Sequence, residues 1–289
     1  WIQNSQDTGE AGTGSRHQQK ITYRDAVYYD IYKSNQIQFP AKNIYNHEPI
    51  YGVSDGSFAT TEDFRDFLFA NAVRGTAFWE LYYSPSIMDD EKWKVNADVL
   101  DFVENNFNVL EKAKLFGHRA TEGVYGYSAW DGNEGIVSFR NPTGETKEYT
   151  LDLTDIVGVP KSVSNLKGNQ VLPYKVGDIG SVSYGDSITV TLEPYETRIL
   201  QYGKVDNKAC EIVSAKVTGE NEITIKYNER VENGEGVYSV EGNEITESKL
   251  LDDYRTVVIS TSNKLQGEAK LNINGERDAL QNPLTTSLT

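Results

Sequence analysis

The feature that most constrains this chain is a change of period at Gly117. Upstream of it, apolar residues recur at helical spacing between short aromatic runs. Downstream they alternate in short runs separated by glycine and asparagine turns. A chain divided in this way is expected to fold as an α/β part followed by all-β parts, because a helical stripe and an alternating strand bury different sets of residues.

Upstream, Ile21, Arg24, Tyr28 and Ile31 follow one another at spacings of three, four and three, which predicts a helical face within 15–35. A short strand and a long loop are expected over 43–52, the loop carrying Asn46, His47 and Glu48. Thr60 or Thr61, with Glu62 and Asp63, opens a second helix whose face is Phe64, Phe67, Leu68 and Ala72, and Gly75 stops it. The aromatic run from Thr76 to Tyr83 predicts a buried strand, and a third helix from Asp89 or Asp90 is read with the stripe Trp93, Ala97, Leu100, Val103, Phe107 and Leu110. Strands and helices in this order imply parallel strands joined by crossovers, an α/β layer or barrel, and two strands alone are too few to complete it. With Trp1 in first place and no initiator methionine, the chain is expected to be a piece of something longer.

Downstream, the segments on either side of the turn at Asp131-Gly132-Asn133-Glu134 predict a hairpin with alternating burial. Further strands are expected at 148–153, 187–192 and 197–202, completing an antiparallel sandwich. Beyond a polar joint at 204–208, strands at 211–217, 222–227, 236–240, 254–260 and 268–273 have the close spacing of an immunoglobulin-like sandwich. The expected fold is therefore α/β plus all-β: a partial (β/α)8 barrel over 1–116, an antiparallel β-sandwich over 117–203 and an Ig-like β-sandwich over 204–289.

A length of 289 residues, 38% of them hydrophobic, suits two or three packed cores. The net charge of -15 repels phosphate backbones, and no basic cluster offsets it, so nucleic acid is not an expected partner. No apolar run is long enough to span a bilayer. One cysteine, Cys210, excludes an internal disulfide and reads as a small buried hydrophobe. The three histidines lack metal-ligand spacing, so neither a metal nor a cofactor is expected.

In strand-helix alternations, catalytic groups sit on loops that follow strands. Three segments qualify: the opening stretch with Asp7, the loop with Asn46, His47 and Glu48, and the end of the aromatic strand with Trp79 and Glu80. Sugar sites combine carboxylates for acid and base work, aromatic faces for pyranose rings, and amides or histidine for hydroxyls, and these segments supply all three. Each residue also has a plainer reading. For Asp7 it is a turn, for Glu80 a structural ion pair with Arg74 or an arginine upstream, and for His47 the loop backbone; Trp93 and Phe107 read as core, and Trp130 as core or interface.

Trp1-x-Gln-x-Ser-x-Asp7-Thr8, the Phe39-Pro40 strand, Phe78-Trp79-Glu80-Leu81 and the sandwich starting near Tyr125 together resemble the last third of the barrel, with its C-terminal sandwich, of clan D retaining glycoside hydrolases. These are the α-galactosidase-like enzymes of families 27 and 36. The resemblance covers 1–203. It implies a carbohydrate substrate, with Asp7 as general acid/base and Trp1, Asn4, His47, Trp79 and Glu80 as sugar-lining residues. The family often has two or three aspartates in the loop where this chain has Asp7 alone, with Glu10 nearby. Its nucleophilic aspartate lies on a strand that would precede Trp1, so by resemblance this chain alone is inactive. The last module, through Val213-Ser214-Ala215-Lys216-Val217, 222–229 and 278–284, resembles bacterial surface Ig-like domains, which implies a secreted or surface-displayed bacterial protein. The rival expectation is a non-catalytic carbohydrate-binding or adhesion protein.

Overall fold

A computed structural model describes residues 2–4, 9–35, 39–52, 60–204, 208–265, 269–278 and 281–289. The chain divides into two compact units, Trp1–Leu166 with Ser181–Gly203, and Lys167–Gly180 with Lys204–Thr289.

The first unit begins with strand β1 (Ile2–Asn4), helix α1 (Arg16–Tyr29) and β2 (Ile44–Asn46). Ser15 caps α1, and the helix runs into a π-helical turn at Asp30–Ser34. Ile21, Arg24 and Tyr28 of the expected face are all buried, the arginine included. After β3 (Ile50–Tyr51), α2 (Thr61–Ala72) opens on a reciprocal capping box between Thr60 and Asp63. It buries Phe64, Phe67, Leu68 and Ala72, as its spacing predicts. Gly75 ends the segment with φ +73°, where a side chain would collide with the Leu110 carbonyl at the end of α3 (Asp90–Leu110).

Between α2 and α3 lie β4 (Phe78–Trp79) and β5 (Tyr82–Tyr83). The run they form is not the buried strand its composition suggests: Phe78, Leu81 and Tyr82 are about half exposed. β4 is the edge of a sheet ordered β1-β2-β4, so no further described strand covers it. The stripe of α3 also differs from the expected one. Trp93 is 45% exposed, and the buried face is Lys92, Val95, Asn96, Val99, Asn106, Val109 and Leu110. The reason is polar packing: Asn96 accepts from the Tyr83 hydroxyl at 2.8 Å, and Asn106 accepts from Gln201 at 2.8 Å.

β1, β2 and β4 are parallel, with α1 and α2 in the crossovers. Residues 114–166 and 181–203 then build an antiparallel sandwich. Its strands are β6 (Lys114–Gly117), β7 (Tyr125–Asp131), β8 (Glu134–Arg140), β9 (Lys147–Asp152), β11 (Ser181–Val182), β12 (Ser187–Leu192) and β13 (Thr197–Tyr202), while β10 (Leu166–Leu172) belongs to the second unit from Lys167 on. β6, β7, β8 and β13 pair in that order, and β9 pairs with β12. Phe139, Leu151, Leu153, Leu192 and Leu200 fill the core, with Trp130 stacked on Tyr202 at 5.8 Å. β7 and β8 do not alternate in burial as expected, because both faces of this hairpin are covered. Trp130 joins the sandwich core, while Tyr125 and Tyr127 reach Asp25 on α1.

The second unit is all β. One antiparallel sheet is ordered β14 (Ile212–Gly219), β15 (Glu222–Tyr227), β18 (Thr256–Thr261), β17 (Ile245–Leu250); the other is β16 (Tyr238–Val240), β19 (Leu271–Arg277), β20 (Pro283–Leu288). Ile223, Ile225, Tyr227, Val257, Ile259 and Ile273 form its core, together with Cys210. Burial pushes the Cys210 thiol up to about 12, with Glu229, Glu276 and Asp278 adding to it, which suits an inert packing residue. No helix among the described residues is long and apolar enough to cross a membrane.

Candidate functional site

Parallel pairing brings the carboxyl ends of three strands into one row. Asn4 pairs with Asn46, and Asn46 with Trp79, so the segments that leave β1, β2 and β4 start side by side. In open or closed α/β sheets, ligands bind at those ends. The next residues on β2 and β4 are His47 and Glu80, and His47 Nδ1 meets the Glu80 carboxylate. Both side chains are partly open to solvent, at 21% and 32% exposure.

The backbone fixes this meeting. Glu80 donates its N–H to the Glu48 carbonyl at 3.1 Å, and Tyr82 donates to the Pro49 carbonyl at 3.0 Å. The strands then resume as β3 and β5, with Ile50 opposite Tyr82, one residue out of step with the β2–β4 ladder. Glu48 to Pro49, a cis peptide, lies at that break.

Strand alternation sorts the side chains. Tyr45 and His47 share a face with Phe78 and Glu80. The Tyr45 ring lies 5.3 Å from Phe78 and its hydroxyl 3.4 Å from His47 Nδ1, while the Tyr82 ring lies 4.9 Å from the imidazole. The result is an imidazole and a carboxylate framed by three rings, two of them half exposed. Trp79 alternates to the reverse face, and its indole donates to the Thr76 carbonyl at 3.1 Å. Trp1 and Asp7 lie outside the described residues, as do the side chains of Asn4 and Asn46. Of the sequence candidates, the structure brings together His47 and Glu80.

Beneath this surface lies a buried ionic network that no spacing announces. Arg74 donates from Nε to Asp25 at 2.8 Å and from Nη1 to Glu48 at 2.7 Å; Arg24 donates to the other oxygen of Glu48 at 3.0 Å. Tyr125 and Tyr127 both donate to Asp25 at 2.6 Å. Two cations thus balance two carboxylates, the condition under which buried charge is tolerable. Burial by itself lowers the Arg74 pKa, but Asp25 and Glu48 outweigh it and hold that pKa well above the ordinary value. Burial, reinforced by the Asp25 charge, raises both tyrosines and keeps them as neutral donors. Arg74 is therefore not the partner of Glu80; Glu80 belongs to His47. Glu48, expected in an open loop, is 5% exposed and anchors the residue after His47.

Chemically, the His47–Glu80 pair can accept and donate hydrogen bonds to hydroxyl groups and can pass a proton between its members. The rings offer apolar faces to the carbon side of a sugar or another flat, hydroxylated ligand. Among the described residues, no group of three or more His, Cys, Asp or Glu side chains could hold a metal ion.

No family model matches the sequence, and no curated protein matches it. Parts of the chain are similar to parts of solved carbohydrate-active enzymes. α-Galactosidase I from Mortierella vinacea superposes with a TM-score of 0.41 at 13% identity, over 56% of this chain and 40% of that one. A GH27 β-L-arabinopyranosidase from Geobacillus stearothermophilus gives 0.38 at 13% identity, over 52% and 32%. The γ-CGTase from alkalophilic Bacillus clarkii gives 0.37 at 14% identity, over 85% and 39%. The chain thus spans two fifths or less of the length of each of these three proteins.

Proposed function

We propose that the first unit handles carbohydrate as the C-terminal part of a retaining, α-galactosidase-like glycoside hydrolase barrel with its sandwich. The observation that carries this reading is the His47–Glu80 pair, set among exposed aromatic rings at the carboxyl ends of adjacent parallel strands. In this reading His47 and Glu80 bond sugar hydroxyls, Tyr82 and Phe78 stack on the ring, and Asp7 is the general acid and later base. By the resemblance Trp1 and Asn4 also line this site, whereas Trp79 lies on the reverse face of β4. A retaining mechanism takes a second carboxylate about 5 Å from the first to attack the anomeric carbon. By resemblance that nucleophile belongs to a strand preceding this sequence, and the chain alone binds without turning over. The second unit is read as an Ig-like spacer, and the protein as secreted or surface-displayed by a bacterium.

A non-catalytic carbohydrate binder is the second reading, favoured by the half-exposed Phe78 and Tyr82, which suit stacking whether or not a bond is cleaved.

Titration of the chain with galactose tests the site. Binding is expected, weakened about tenfold by Tyr82→Ala and by Glu80→Gln, the scale of one lost polar or stacking contact. Absence of galactose binding, or binding indifferent to both changes, overturns the sugar site. Hydrolysis by the longer protein that the resemblance implies separates enzyme from binder. There, Asp7→Ala should slow a galactoside with a poor leaving group more than an aryl α-galactoside, because the poor leaving group depends most on protonation. Equal rates with and without Asp7 remove it from that role.

A further inference from the structure

We infer that a groove of about 350 Å³ in the first unit, walled by Arg74, Tyr32 and Lys33, binds a small organic oxyanion. The groove is distinct from the His47–Glu80 site. Residues 39–41 and Arg74, which line it, precede β2 and β4, whereas His47 and Glu80 follow those strands. Its volume falls within the range of about 300–1,000 Å³ common to small-molecule sites.

Charge selects the ligand class. In a chain of net charge -15, this groove gathers Lys33, Arg74, Lys112 and Lys114 against one acid, Glu111. Glu111 is engaged by Lys42 at 2.6 Å, and Lys112 by Asp131. Lys33 has no ion-pair partner among the described residues, and Lys114 donates only to the Asp155 carbonyl at 3.3 Å. The surplus is positive and available.

Two buried polar atoms sharpen the case. Arg74 is 1% exposed, and with Nε and Nη1 committed to Asp25 and Glu48, its Nη2 has no hydrogen-bond partner among the described residues. Among the same residues the buried Tyr32 hydroxyl has none either. A buried donor without an acceptor is costly, and a ligand oxygen relieves it. Arginine edges are suited to carboxylate and phosphate oxygens. Phe39 and Ile156, 53% and 81% exposed, add apolar surface for a carbon skeleton rather than a bare ion. A sugar acid and a sugar phosphate share the required chemistry.

Calorimetric titration of the full chain with glucuronate, glucose 6-phosphate, glucose and inorganic phosphate tests this inference. At least one of the two organic anions is expected to bind about tenfold tighter than glucose or inorganic phosphate, and the tighter of the two identifies the oxyanion. Lys33→Glu combined with Lys114→Glu changes two exposed side chains and should weaken that binding about tenfold or more while leaving galactose binding unchanged. Glucose binding as tightly as the anions, inorganic phosphate matching them, no heat from either organic anion, or an unaltered double variant each overturns it. Because galactose binding is read separately, failure here is distinguishable from failure of the sugar site.

Discussion

At the scale of single residues, Arg74 links the two buried carboxylates of the first unit. It is the shared donor of Asp25 and Glu48, and its guanidinium also lies over the Tyr28 ring at 5.5 Å. Arg74→Met removes the donor while leaving both carboxylates buried, so it is expected to destabilise the first unit by about 3–5 kcal/mol, measured by urea unfolding. A cost below about 1 kcal/mol would show that water replaces the guanidinium. The sequence revealed less at this scale than at any other. His47 and Glu80 were legible as candidates, because a histidine and a carboxylate stood where strands end. Their pairing was not, since the register of β2 on β4 decides it. Asp25, Arg74 and Tyr125 lie so far apart in sequence that nothing short of the fold reveals their contacts.

Elements were legible where one physical term dominated. The face of α2 could be read because it is apolar throughout, and its start because Thr60 and Asp63 satisfy each other: the Asp63 N–H donates to Thr60 Oγ1 at 3.1 Å and the Thr60 N–H to Asp63 Oδ2 at 3.2 Å. Thr60→Ala is expected to cost about 1 kcal/mol, and Thr60→Ser only a few tenths, read as shifts in denaturation midpoint. Equal losses would mean that the methyl group rather than the hydroxyl holds the cap. The α3 face was misread because three of its buried positions are Lys92, Asn96 and Asn106, which hydrophobic periodicity counts as surface. β17 and β20 escaped notice for the opposite reason. Both are edge strands, largely polar and only partly buried, so their sequences carry little apolar alternation.

At the scale of the whole molecule, the change of period at Gly117 anticipated the passage from crossover helices to antiparallel strands. The two cores, one around Phe139 and Leu192 and the other around Ile225 and Val257, have no residue in common. Each is expected to respond to its own substitutions. Phe139→Ala should cost about 3–5 kcal/mol and Ile225→Ala about 2–5 kcal/mol, each lowering a different step of a two-step unfolding curve. A single step that both changes shift equally would show that the units unfold together.

The network around Arg74 also bears on ancestry. Loss of Asp25 strands the Tyr125 and Tyr127 hydroxyls in the interior, and loss of Arg74 leaves two buried carboxylates with one balancing cation, so Asp25, Glu48, Arg74, Tyr125 and Tyr127 are expected to be inherited or replaced together. Descent in chains of this kind would then be recorded as correlated change at positions dispersed from α1 to β7, and not as a contiguous signature that a reader of one segment would notice.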